Sequence, residues 1–291
     1  MKRRYAFIAA KKEEDHHAKV SRLCSVVGVS HGTWYRQQSG SKKRTQRQEE
    51  TDTLVGKIRD IWMSNGQTYG SPSIHGALRN TGVRCSRKRV ERLMRINGIF
   101  SHVHTHRSRT TIGGDAPSTP DLVERRFTAD APNKVWWTDI TYIWTKQGWL
   151  YLAAIEDGYS RKVVGYAFAD HLKTSLPLKA LHRALKARMP QEGLIHHSDR
   201  GCQYTSWTYQ HELRSRGIRP SMGRTGVCWD NAPAESFWAT LKKEVIHRQQ
   251  WKTRRQVERA VTTYIARFNK ERVHSALNYL SPEEFELQNA A

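Results

Sequence analysis

The feature that most constrains this chain lies between residues 135 and 168. Three short runs of aromatic and β-branched residues, 135–144, 149–156 and 162–168, are separated by two tight turn signals. Lys146-Gln147-Gly148 and Asp157-Gly158-Tyr159-Ser160 suit hairpin connections, so the runs read as three consecutive antiparallel strands. Downstream the pattern alternates. A helical stretch at 174–189 precedes a short strand at 194–197. A helix at 206–216 then leads to a brief strand at 218–221, and long helices follow at 233–247 and 253–269. An antiparallel meander followed by alternating helices and strands predicts an α/β domain, a mixed sheet flanked by helices.

The segments before it are helical. Val20, Leu23 and Val27 form an apolar stripe ending at Gly28, and Ser30 is placed to cap a second helix carrying Trp34 and Tyr35. This is a helix-turn-helix outline, although a plain helical hairpin fits the same residues. Residues 46–50 read as a polar joint. Three further helices are expected at 51–63, 71–80 and 86–97, with Pro72 near a helix start and Gly82 and Gly98 at helix ends. In the third, Val90, Leu93 and Met94 supply an apolar face, and Arg87, Lys88, Arg89, Arg92 and Arg95 surround it. A solvated charged face would look the same, but beside a helix-turn-helix outline these residues are candidates for gripping DNA. Residues 101–121 hold Gly113-Gly114, Pro117 and Pro120 without apolar periodicity and read as a linker. Alternate His102, His104 and His106 lack carboxylate or thiol neighbours and are not read as a metal site. The divisions expected are therefore 1–45 helix-turn-helix-like, 51–100 helical with a DNA-binding candidate helix, 101–130 linker, 131–250 α/β core, and 251–291 C-terminal helix and tail.

Charge limits the partners. Forty-nine Lys and Arg against 27 Asp and Glu leave a formal charge of +22. Such a surplus on a folded chain points to a polyanion, because each neutralised phosphate releases condensed counterions. The scattered Cys24, Cys85, Cys202 and Cys228 form neither a disulfide framework nor a zinc knuckle. The apolar run after Met1-Lys2-Arg3-Arg4 ends at Lys11, too soon for a signal peptide or a membrane span. The expectation is a soluble intracellular protein.

Three acids sit where acids are costly or exposed to a site. Asp139 lies inside the aromatic string Val-Trp-Trp-Thr-Asp-Ile-Thr-Tyr, where an ionised group needs a reason; a buried salt bridge is the plain alternative. Asp199 ends the fourth strand, where sites gather in such sheets, though it could simply begin a turn. Glu235 follows Pro233 at a helix start, which an acid favours on electrostatic grounds alone. Taken together they are more telling: 59 residues separate Asp139 from Asp199, and 35 separate Asp199 from Glu235.

That arrangement resembles the retroviral-integrase superfamily. The strings Trp137-Thr138-Asp139-Ile140-Thr141-Tyr142, His197-Ser198-Asp199-Arg200-Gly201-Cys202-Gln203-Tyr204 and Asp230-Asn231-Ala232-Pro233-Ala234-Glu235-Ser236-Phe237 are similar to bacterial insertion-sequence transposases of the second-reading-frame (OrfB) type. So are Arg267-Phe268-Asn269-Lys270-Glu271-Arg272-Val273-His274-Ser275-Ala276-Leu277 and Tyr279-Leu280-Ser281-Pro282, and the Tyr69-Gly70 region resembles that group's winged-helix-like module. The resemblance spans nearly the whole chain. It implies a ribonuclease-H-like core with a five-stranded mixed sheet, preceded by helix-turn-helix-type modules. It also implies a DNA transposase that cuts and joins strands at element ends by a DDE mechanism. Asp139, Asp199 and Glu235 would hold two Mg²⁺ ions (Mn²⁺ as substitute), with Asp139 bridging both. Two metal ions about 3.5–4 Å apart can activate the attacking oxygen and steady the leaving one. Water would be the first nucleophile and the exposed 3′-hydroxyl the second.

Lys242 lies seven residues past Glu235, within about 20° of the same helical face, and the family has a basic residue there. Lys243 points elsewhere, and Asp157 is read as a hairpin cap. Glu156 and Asp170 lack matching context, while His196 and His197 are read as packing residues. The resemblance further implies element ends and target DNA as partners, a homo-oligomer on DNA, the upstream-frame protein as fusion or partner, no membrane, and a cytoplasmic, nucleoid-associated location in a bacterium. Two other readings share some features: a ribonuclease-H-like nuclease or phage-type integrase, and a non-catalytic DNA-binding accessory protein.

Overall fold

A computed structural model describes residues 2–102, 119–124, 126–223 and 231–290, leaving out the side chains of 2 and 39–45. Most of the expected linker, with His104 and His106, lies outside the described residues, as do Cys228 and Asp230. The chain divides into two compact units, Met1–Asp60 and Ile61–Ala291.

In the first unit, helices α1 (Lys2–Glu14), α2 (Val20–Val26) and the start of α3 (His31–Ser64) enclose a small core of Tyr5, Ile8, Cys24, Val29 and Trp34. Gly28 turns the chain at φ +63°, a left-handed conformation that costs a residue without Cβ little, and Ser30 Oγ accepts the Thr33 N–H at 3.3 Å. The helix, glycine turn and capped helix match the expectation. The polar joint expected at 46–50 does not exist; those residues lie inside α3. Polarity alone does not break a helix, and Arg, Gln and Glu are good helix formers. Bonds four residues apart support this stretch: Gln48 Nε2 donates to Asp52 Oδ1 at 2.9 Å and Thr51 Oγ1 to the Arg47 carbonyl at 2.7 Å.

The second unit begins with α4 (Ser71–Asn80) packed on α5 (Arg87–Ile96). Ile74 and Leu78 are buried on one helix, and Val90, Leu93 and Met94 on the other. Ser86 caps α5 by accepting the Arg89 N–H at 3.2 Å. Strands β1 (Val135–Thr145), β2 (Gly148–Asp157) and β3 (Val163–Ala169) form the antiparallel meander, and β4 (Ile195–Ser198) and β5 (Arg219–Met222) join β1 in parallel. The order is β3-β2-β1-β4-β5, a five-stranded mixed sheet as expected.

Helices cover both faces. On one, α6 (Ser175–Arg188) and α8 (Trp207–Ser215) place Leu176, Ala180, Leu181, Ala184, Tyr209 and Leu213 against Trp136, Ala153, Ile155 and Ala167. Gly165 lets α6 approach: a Cβ there would lie 2.4 Å from the Ala180 carbonyl oxygen. The short α7 (Cys202–Thr205) precedes α8. On the other face, α9 (Ala232–Glu244) and α10 (Arg254–Lys270) bury Phe237, Trp238, Leu241, Val261 and Phe268 over Ile143, Leu152 and Ala154.

The C-terminal stretch is more than a tail. Buried Glu244 receives Arg272 Nη2 at 2.8 Å and the Tyr264 hydroxyl at 3.0 Å. The following residues then reach α4 and the turn before it: the Val273 N–H donates to the Tyr69 hydroxyl at 2.9 Å, and Arg79 Nη2 donates to the Asn278 carbonyl at 2.6 Å. The Tyr279 ring lies against Gly76, where a Cβ would come within 2.3 Å of it. The chain finishes in α11 (Pro282–Gln288), opened by a Ser281/Glu284 capping box.

Candidate active site

The site is assembled at the junction of β1, β4 and α9. Trp137 is paired in parallel with His197, so Asp139 and Asp199 each lie two residues beyond that pair on neighbouring strands. Two steps along a strand return a side chain to the same face. Helix α9 is fixed to this spot by two contacts with β1. Asn231, its N-cap residue, donates from Nδ2 to the Thr138 carbonyl at 3.2 Å, and Trp238 Nε1 donates to Asp139 Oδ2 at 3.0 Å. Glu235, three residues before Trp238, therefore enters from the first turn of a helix already fastened to the strand of Asp139.

Electrostatics tie the acids to one another. Burial, then the charge of Asp199, and to a lesser degree that of Glu235, push the Asp139 carboxyl up to about 7, against hydrogen bonds from the Ile140 N–H and Trp238. Burial raises Asp199 as well, opposed by the Gly201 N–H that reaches its Oδ1 at 3.0 Å, and burial raises Glu235. The structure thus brings Asp139 and Asp199 together with Glu235 within electrostatic reach. Among the described residues, no three His, Cys, Asp or Glu side chains converge tightly enough to make a ready-formed metal cage. The donors are carboxylate oxygens only, the ligand type that suits Mg²⁺.

Lys242 lies two turns along α9 from Glu235. Its ammonium is half-buried, 5.8 Å from the Tyr142 ring centroid; burial lowers its pKa while the charge of Asp139 works the other way. Arg87, Lys88, Arg92 and Arg95 are exposed on α5 and Arg89 is partly covered, around the buried Val90, Leu93 and Met94. That amphipathic basic helix lies apart from the acids in sequence, in the helical pair α4–α5.

Other expectations resolve plainly. Asp157 is a structural cap: its carboxylate accepts the Tyr159 N–H at 2.9 Å, the Asn133 N–H at 2.8 Å and Trp136 Nε1 at 3.3 Å. His196 and His197 are both buried, against Tyr209 and Trp137 respectively, and His197 Nδ1 shares a hydrogen bond with Ser221 Oγ at 2.9 Å. The His102 ring packs edge-on to Trp62, with centroids 5.5 Å apart. Cys24, Cys85 and Cys202 are free thiols, and no helix among the described residues is long and apolar enough to cross a membrane. Sequence reasoning missed Trp238 and Asn231. Asn231 stands in the string around Glu235 and Trp238 directly follows it, one helical turn past Glu235, so the spacing held a signal.

Comparison with known proteins agrees with this geometry. A family model described as an integrase core domain matches residues 129–228, a second integrase core domain model matches 216–282, and an HTH-like domain model matches 49–107. The core match runs past residue 250, in keeping with the packing of α10 on the sheet. The chain is 36% identical over 270 residues to the transposase for insertion sequence element IS629 of Shigella sonnei, covering 92% of this chain and 91% of that one. It is 39% identical over 254 residues to the IS904 transposase of Lactococcus lactis, covering 86% and 99%. Against transposase InsF for insertion sequence IS3A of Escherichia coli K12 it is 34% identical over 292 residues, covering 99% and 100%. Among solved structures, a simian T-cell lymphotropic virus intasome aligns with a TM-score of 0.46 at 14% identity, covering 78% of this chain and 73% of that one. The HTLV-2 integrase catalytic core domain in complex with magnesium aligns at 0.43 and 16%, covering 53% and 96%. On its family matches and on identity sustained along nearly its whole length, this chain belongs to the insertion-sequence transposases, with an integrase core domain preceded by an HTH-like DNA-binding domain.

Proposed function

We propose that this transposase cuts and joins DNA at the ends of its insertion element by a DDE mechanism, with Asp139, Asp199 and Glu235 as the catalytic carboxylates. The observation that carries the reading is geometric: Asp139 and Asp199 each lie two residues past the Trp137–His197 pair on neighbouring strands, and Trp238 and Asn231 fasten the helix of Glu235 to the strand of Asp139. Such a cluster is unfavourable alone and fits a divalent cation. Two Mg²⁺ ions, with Mn²⁺ as a substitute, would lie on these oxygens and activate the attacking oxygen while steadying the leaving one. Asp139 is oriented for this by Trp238, and Asp199 by the Gly201 N–H. Lys242 is a phosphate-positioning group on the face of Glu235. The chemistry is two in-line displacements at phosphorus, first by water and then by the exposed 3′-hydroxyl, and no Ser or Tyr nucleophile is needed. Arg87, Lys88, Arg89, Arg92 and Arg95 grip the DNA backbone or groove. The working form is a multimer on DNA that brings two ends together in the bacterial cytoplasm at the nucleoid, with the upstream-frame protein as fusion or partner.

Labelled element ends incubated with Mg²⁺ test this. Wild type should yield strand-joined products, and Glu235→Gln and Asp139→Asn should yield neither joined nor nicked DNA. Nicked DNA without joining identifies a nuclease instead. Joining that survives Asp139→Asn removes the carboxylate mechanism altogether.

A further inference from the structure

Beside the acids, the β1–β2 hairpin breaks the usual rule for a half-buried strand pair. Its inward residues Ile143 and Leu150 enter the core, so its outward positions should be polar. They hold Tyr142, Trp144 and Trp149 instead, at 51%, 60% and 43% exposure. Trp149 stands directly across from Trp144 and meets both neighbours edge to face, with centroids 4.9 Å from Trp144 and 5.3 Å from Tyr142. Edge-to-face contact occupies one face of one ring in each pair and leaves flat aromatic surface open. An exposed apolar patch of this kind marks a binding surface. Two cations border it: the Lys242 ammonium 5.8 Å from the Tyr142 centroid, and Arg254, whose Nε donates to the Trp149 carbonyl at 3.0 Å. A protein partner's apolar face would gain nothing from those charges. A nucleic-acid strand, with π-faces and phosphates together, matches both features.

We propose that Tyr142, Trp144 and Trp149 form a stacking platform for unpaired bases at the DNA end, with Lys242 and Arg254 holding the adjoining phosphates. The inference rests on the strand-transfer reading for its location: Tyr142 lies three residues past Asp139, about 10 Å along β1 and on the opposite face of the strand. The pairing of β4 with β1 covers residues 135–137, and past it Lys242 of α9 reaches the Tyr142 ring from the side of the acids. Bases splayed around that edge of β1 and stacked on the platform would leave the neighbouring phosphodiester on the side of the acids. The platform thus selects ends that have opened.

The test uses the full chain with EDTA and no divalent metal, so binding is read without chemistry. Two short duplexes of the same sequence are compared, one blunt and one with its last few pairs mismatched and 2-aminopurine among the unpaired bases. Wild type should bind the frayed duplex roughly tenfold more tightly and quench the 2-aminopurine, as expected for one or two stacked bases. The Trp144→Ala/Trp149→Ala double variant should lose the preference and the quenching while keeping wild-type affinity for the blunt duplex, and Trp149→Phe alone should retain much of both. Preference and quenching that persist in the double variant overturn the proposal. So does proportional loss on both duplexes, or a change in self-association with the preference intact, which would make the patch an interface between copies. The frayed-over-blunt preference is read without metal and strand joining with it, so failure of the platform and failure of the carboxylate mechanism are read in separate assays.

Discussion

Asp139→Asn should abolish strand transfer and, without metal, make the protein more stable. The Asp139 carboxyl titrates at about 7 instead of the ordinary 3.8. At about 1.4 kcal/mol per pH unit, holding it ionised in the fold costs ~4 kcal/mol above pH 7. Asparagine removes that charge but keeps the shape. Its amide must turn a donor toward either the Ile140 N–H or Trp238 Nε1, where the carboxylate accepts from both, and losing one such bond costs ~1 kcal/mol. The net gain is ~3 kcal/mol, or about 5 °C in melting temperature for a chain of this size. The sign follows from proton linkage. Between pH 4 and 7 the folded wild type binds a proton that the unfolded chain has released, so wild-type stability falls as pH rises through that window and is level above it. The advantage of the variant should thus be absent at pH 4, grow through pH 6 and be complete by pH 8. Glu156, pushed up to about 8 by burial, adds a pH slope of its own, but to both proteins, so it cancels in the difference. Urea unfolding in EDTA across this range measures it. Saturating Mg²⁺ should then stabilise wild type, by ~3 kcal/mol at a hundredfold excess over Kd, and leave the variant unmoved. A variant no more stable than wild type at pH 8, or one whose advantage is the same at pH 4 and pH 8, would refute the account of Asp139 as an ion held at a cost.

Three further outcomes follow from particular contacts. Glu244→Gln removes one partner of a buried pair and leaves Arg272 uncompensated, so denaturant unfolding should show a loss of ~3–5 kcal/mol. Gly165→Ala drives a methyl group into the backbone of α6; α6 must shift, and the melting temperature should fall by the equivalent of ~1–3 kcal/mol. Lys88→Ala and Arg92→Ala, both on the exposed face of α5, should each lower the slope of log affinity against log salt by about 1 on any DNA, if each neutralises one phosphate. An unchanged slope would remove that residue from the DNA-contacting set.

The sheet was legible because its first three strands are short aromatic and β-branched runs and the turns between them carry glycine. Gly148 sits at φ +97° in the first hairpin, and Asp157 anchors the second through its side chain. Helices α4 and α5 were legible from caps and terminal glycines. Segments whose structure depends on distant partners were not. In α1 only Tyr5 and Ile8 are buried among the side chains described, too few to set a period, and their partners lie on α2 and α3. Helix α11 was missed although Ser281-Pro282-Glu283-Glu284 carries a capping box, a local signal that could have been read. The docking of Tyr279 on Gly76 joins residues about two hundred positions apart, and no local pattern encodes it.

At the acids, a raised pKa does not by itself separate site from scaffold. Glu156 and Asp157 are buried more completely than Asp139, which is partly exposed, and both are raised by burial. What differs is the sign of their partners. Arg161 lies 3.4 Å from Glu156 and Arg188 3.6 Å from Asp157, and each pulls its acid back toward the charged form. The charges that act most on Asp139 belong to Asp199 and Glu235, and both push it further up. A buried acid beside a cation has already found its counter-charge and serves the fold. Asp139 has acids as its foremost charged neighbours, with the Lys242 ammonium acting the other way, so a cation from outside the chain would be favoured there. The same distinction explains the reading of the sequence. Asp157 precedes a glycine in a turn and could be assigned to structure at once, whereas Asp139, set in the middle of an aromatic strand, had no local role to absorb it.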